Sequence, residues 1–128
     1  MQNFRRELPR IDVEAMCWEL VDGKEVSSLA VDISPIGIRV ERPYVPGPTR
    51  HTMPLQIEVP GIDEVMWARG EACFDVLVPS ATWGIVRRTG YCIAGAASRD
   101  LRMLKEFVFE THRARRDRFA QVDHGYLA

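Results

Sequence analysis

From Val13 to Ala97 the chain runs through short extended segments, each cut off by a turn signal, with no helical period between them. Strands at this spacing, with no helix to carry a parallel crossover, restrict the fold to an antiparallel sheet, and a small barrel suits their number best. Val13–Val21 reads as a first strand, with Val13, Ala15 and Cys17 on one face and Met16, Trp18 and Leu20 on the other. Asp22-Gly23 is a two-residue hairpin signal. Val26–Ile33 follows as a second strand, broken at Ser34-Pro35-Ile36-Gly37 and resumed over Ile38–Glu41.

Pro43 to Pro54 holds four prolines and reads as a loop, because proline cannot donate to a ladder. Leu55–Val59 alternates as a strand, and Pro60-Gly61 turns the chain. Val65–Val78 fits one bent strand, or two with a bulge at Gly70. Trp83–Arg88 and Gly90–Ala97 read as a closing hairpin. The period changes at Ser98. Leu101, Leu104, Phe107, Val108 and Thr111 recur at helical spacing, Ser98 is a candidate cap, and Arg113–Arg118 suits the negative end of the helix dipole. Beyond Phe119 no period is visible. The expected layout is an arm over residues 1–11, a barrel with its helix over 12–118, and a tail over 119–128.

At 128 residues, with 46% hydrophobic and 27% charged side chains, one domain with a modest core is expected. The net charge of −1 provides no basic field to gather nucleic acid or membrane, so neither is an expected partner. Positive charge is local, in Arg5, Arg6 and Arg10 and in Arg113, Arg115, Arg116 and Arg118, which points to a small anionic ligand or one basic face. Cys17, Cys73 and Cys92 have no short spacing and sit in apolar runs, so buried free thiols are expected, with no zinc pattern. Met1–Arg10 lacks an apolar stretch and no run approaches ~20 apolar residues. The expected compartment is the cytoplasm.

Two short patterns carry the chemistry. Arg6-Glu7-Leu8-Pro9-Arg10 is an R-x-x-x-R arm preceded by Arg5, and Asp32-Ile33-Ser34-Pro35-Ile36-Gly37 is a D-x-S-x-x-G at a strand end. The 21 residues between them make one hairpin, which brings the arm beside the bend. Arginine pairs bidentately with phosphate, matches the guanine O6 and N7 acceptors, and stacks on a base. An ionised Asp32 accepts the guanine N1–H and N2–H. Ser34 can serve a phosphate or an amino group, and Gly37 lets the chain turn sharply and a ligand approach. A guanine nucleotide uses all of these groups.

The pair of motifs resembles the bacterial PilZ domain, over about residues 4 to 112. Gly70-Glu71-Ala72-Cys73-Phe74 is similar to that family's G-x-V-x-W strand, and Tyr91–Ala97 to its closing strand. Ala96, Ala97 and Ser98 stand where an aromatic often follows the family's glycine. The resemblance implies a mainly β fold: a six-stranded antiparallel barrel with a flexible N-terminal arm and a C-terminal α-helix. It implies a receptor for cyclic di-GMP, with Arg5, Arg6, Arg10, Asp32, Ser34 and Gly37 at the ligand, no further cofactor, and a protein partner that takes the signal. Arg5 is similar to the extra arginine of members that hold two stacked ligands.

Other readings are weaker. A PilZ fold that lost its ligand and acts only as an adaptor is the main alternative. No catalytic or metal-ligating pattern surrounds His51, His112 or His124, and no nucleophile elbow or phosphate loop is present, so no enzyme is expected. Asp32 and Ser34 also suit a plain turn, through side-chain bonds to the backbone.

Overall fold

Asp22 and Gly23 both adopt left-handed backbone, with φ of 52° and 79°, as a two-residue hairpin turn with primed geometry requires. They join β1 (Ile11–Val21) to β2 (Lys24–Ser34), with Val21 opposite Lys24. β3 (Gly37–Pro43) folds back on β2 after the bend. β4 (Thr52–Glu58), β5 (Val65–Ser80), β6 (Gly84–Ala96) and α1 (Ser98–Leu127) follow among the described residues. The molecule is described here by a computed structural model covering residues 8–43, 51–80 and 83–127, with side chains as far as Phe119.

The six strands close into an antiparallel barrel in the order β1-β2-β3-β6-β5-β4. Closure removes sheet edges and leaves one face of each strand for the core. Ala15, Cys17, Ala30, Ile38, Val40, Leu55, Ile57, Met66 and Tyr91 fill the interior. α1 lays Leu104 and Val108, both fully buried, against this core, with Met103 and Phe107 partly covered beside them.

Several expectations change. Pro54 lies inside β4, opposite Arg69. β4 pairs with β1 only over Leu55–Ile57, so Pro54 sits just outside the doubly paired stretch and its missing N–H is tolerated. β6 is one continuous strand rather than a hairpin. Gly90 does not turn the chain; a Cβ there would sit 2.1 Å from Cε1 of Phe74, so the glycine makes room for the ring. β5 is also one strand, with register shifts at Arg69/Gly70 and Ala72/Phe74. α1 continues through Leu127, so the segment from Phe119 expected as a tail is helical. Ala97, whose carbonyl accepts from the Leu101 N–H at 3.0 Å, precedes the first turn, and Ser98 lies within it.

The barrel also encloses charge. Glu19 is 1% exposed. Its carboxylate accepts a hydrogen bond from the Tyr91 hydroxyl at 2.5 Å and pairs with the Arg42 guanidinium at 2.9 Å. Burial and the neighbouring Glu19 raise the Tyr91 pKa well above the usual phenol range.

Candidate functional site

The bend between β2 and β3 is built by its own residues. The Ser34 hydroxyl accepts from the Ile36 N–H at 3.3 Å and donates to the Gly37 carbonyl at 3.4 Å. β6 then closes on the bend, its Ile93 N–H donating to the Ile36 carbonyl at 2.8 Å. A Cβ on Gly37 would lie 2.9 Å from the Tyr91 carbonyl oxygen. Gly37 is thus required by the close approach of two backbones, beside its place in the cavity lining.

Asp32, 7% exposed, is the centre of the site. It faces Asp12 across β1–β2 and Arg39 across β2–β3. Arg39 Nη1 lies 3.2 Å from Oδ2, and Arg10 Nε, just ahead of β1, lies 3.8 Å from Oδ1. Both distances exceed the ~2.7–2.9 Å of a tight charge-assisted bond, so the carboxylate keeps capacity for stronger donors. Burial raises the Asp32 pKa above the usual carboxylate range, and Arg39 and Arg10 offset that only in part.

Arg39 also lies over the Phe74 ring, 5.6 Å from its centroid, and the ring covers Gly90. Together these groups bound a cavity of about 220 Å³ lined by Leu8, Arg10, Asp32, Ser34, Gly37, Arg39, Phe74, Tyr91 and others. That is smaller than the ~300–1,000 Å³ of a pocket enclosing a whole small ligand, so it suits one base with its phosphate. It offers an acceptor-only carboxylate, guanidinium forks and an aromatic wall, which match the edges, charge and face of a guanine nucleotide.

Of the residues expected at the site, Arg10, Asp32, Ser34 and Gly37 come together around this cavity. Arg5 and Arg6 lie outside the described residues. Sequence reasoning missed Arg39 and gave Phe74 no role at the ligand. Arg39 was accessible: with Ser34 opposite Gly37, hairpin counting places residue 39 opposite Asp32. The cysteines differ most from expectation. Cys73 and Cys92 are joined by a disulfide in the cavity wall, and among the three only Cys17 is free.

The barrel superimposes on solved structures. The inhibitor of motility MotI/DgrA from Bacillus subtilis matches with a TM-score of 0.73 at 17% identity, over 88% of this chain and 53% of that one. The PilZ domain of YcgR from Escherichia coli, solved with c-di-GMP, matches with a TM-score of 0.66 at 16% identity, over 91% of this chain and 98% of that domain. The fold is of the PilZ type. A second YcgR structure, in complex with c-di-GMP, matches with a TM-score of 0.68 at 16% identity, covering 92% of this chain and 50% of that one. The chain thus spans about half the length of MotI/DgrA and of that longer YcgR chain, in keeping with one PilZ-type unit. No protein-family model and no curated protein matches the sequence. Among the described residues, no helix is long and apolar enough to cross a membrane.

Proposed function

We propose that this PilZ-type barrel is a cytoplasmic receptor for cyclic di-GMP that acts by binding, without a reaction of its own. The observation that carries the reading is the convergence of Arg10 and Arg39 on the buried Asp32, beside the Ser34–Gly37 bend and at the mouth of a base-sized cavity. The PilZ domain of YcgR, which shares this fold, holds the same dinucleotide.

In the bound state Asp32 exchanges its long arginine contacts for the guanine N1–H and N2–H. Arg10, released from Asp32, joins Arg6 on the phosphates and the guanine Hoogsteen edge, and Arg5 extends the grip to a second stacked ligand. Arg39 and Phe74 supply a flat wall for the base. Ligand phosphates neutralise the repulsion among the arm arginines, so binding favours an arm closed over the barrel. The closed arm and the exposed outer helix face are the surfaces offered to a protein partner. Calorimetric titration with cyclic di-GMP, with cyclic di-AMP as control, tests the reading. Saturable binding of the guanine form that weakens in Arg10→Ala supports it. Absence of heat at high micromolar ligand leaves the fold as an adaptor.

A further inference from the structure

One wall of the cavity carries chemistry that recognition of the dinucleotide does not use. Cys73 and Cys92 line it together with Arg10 and Asp32. Their Cα atoms are 6.3 Å apart, inside the usual span of a disulfide, and the sulfurs are bonded. Cys73 is the extra residue of the β5 bulge between Ala72 and Phe74, so the strand ladder does not hold it. Cys92 sits opposite Gly37 on β3 and opposite Glu71 on β5. The bridge therefore ties the loose point of β5 to the strand that backs the Ser34–Gly37 bend. The residue after Cys73 is Phe74, and the residue before Cys92 is Tyr91, whose carbonyl abuts Gly37. Cys73 is exposed and Cys92 half-buried, so both sulfur positions are accessible from solvent or the cavity. Cys17 differs: it is fully buried in the core, where a thiol is inert.

We infer that Cys73 and Cys92 are a reversible redox pair whose state sets the affinity of the neighbouring pocket for its guanine dinucleotide. The inference rests on the ligand reading given above. In a reducing cytoplasm the resting form is the dithiol, and a disulfide there is typically transient and sensing. Oxidation proceeds by exchange with a low-molecular-weight disulfide. The exposed Cys73 thiolate attacks one sulfur, breaking that S–S bond and releasing one small thiol. The Cys92 thiolate then attacks the Cys73 sulfur of the mixed disulfide and releases the second. The protein gives up two electrons and two protons, and the small disulfide leaves as two thiols. The bridge pins the bulge, and with it Phe74 beneath Arg39, so the oxidised pocket is preorganised and binds more tightly. Reduction frees the bulge and loosens that wall.

The test uses the full chain in two states, oxidised with glutathione disulfide or reduced with dithiothreitol, with thiol counts confirming each. Calorimetry with cyclic di-GMP is expected to show affinity at least about fivefold higher for the oxidised form. The difference should vanish in Cys73→Ser. Linkage requires the reciprocal effect: cyclic di-GMP should make the bridge harder to reduce by the same factor in a dithiothreitol redox titration. The wild-type comparison and this titration stand even if the serine variant misfolds. Equal affinities in the two states, an unmoved titration, or two thiols that do not pair under oxidant overturn the inference alone. Absence of binding in both states overturns the ligand reading and this inference with it.

Discussion

Asp32→Asn removes a charge and keeps the shape of the side chain, and the structure assigns different outcomes to its effects on stability and on binding. Burial raises the Asp32 pKa despite Arg39 and Arg10, so the native state holds the proton more tightly than the unfolded chain. Stability contributed by this group therefore falls as pH rises from the ordinary carboxylate pKa through the raised native one, and the cost is fully present above the native pKa. Asparagine removes that cost. It also removes the Arg39 ion pair, whose guanidinium side is 38% exposed and which is worth about 0–1 kcal/mol. The two changes oppose each other, so the melting temperature should stay within a few degrees of the parent. Binding should suffer: the carboxamide presents a donor where guanine needs two acceptors, a loss of about 1–3 kcal/mol, or about 5- to 150-fold in Kd. Thermal denaturation and calorimetry with cyclic di-GMP read the two effects on one sample. A variant that melts far below the parent makes Asp32 a structural keystone, and one that binds as well as the parent removes it from the site.

Acidification should weaken cyclic di-GMP binding at a higher pH than an ordinary aspartate with a pKa of ~3.9 would give, because the raised Asp32 pKa brings protonation in earlier; this acid limb should be missing from a calorimetric pH series on Asp32→Asn. Glu19→Gln should cost about 3 kcal/mol in urea unfolding, the lower end for breaking a buried pair, since Arg42 loses its anion but keeps 18% side-chain exposure; a change under ~1 kcal/mol would refute this. Gly37→Ala forces a Cβ against the Tyr91 carbonyl at 2.9 Å and should destabilise by about 1–3 kcal/mol in the same assay; a variant as stable as the parent shows that the two backbones separate freely.

The strand succession was legible because each turn announces itself chemically. Asp22-Gly23 takes the left-handed backbone its composition suggests, and Ser34 makes the side-chain bonds its position suggests. What escaped depends on contacts distant in sequence. Gly90 reads locally as a breaker, and only Phe74, 16 residues earlier, explains it as space for a ring. Pro54 reads as loop until the limits of β1–β4 pairing are known. Cys73 and Cys92, 19 residues apart, meet because a bulge redirects β5, and bulges leave little trace in composition. Past Thr111 helix α1 loses its apolar stripe, so its run beyond Arg118, the expected end, carries no period for the sequence to show. At the site, D-x-S-x-x-G marked the bend and Asp32, while Arg39 required the register as well.

The most direct test of the account is a nitrogen-15 chemical-shift titration of the whole chain with cyclic di-GMP. The account predicts saturable shifts confined to the arm from Arg5 to Arg10, the stretch from Asp32 to Arg39, Cys73–Phe74 and Gly90–Cys92, with the exposed helix face around Arg113–Arg118 unmoved by direct contact. Shifts centred on that helix face, or a spectrum indifferent to the dinucleotide, would contradict it.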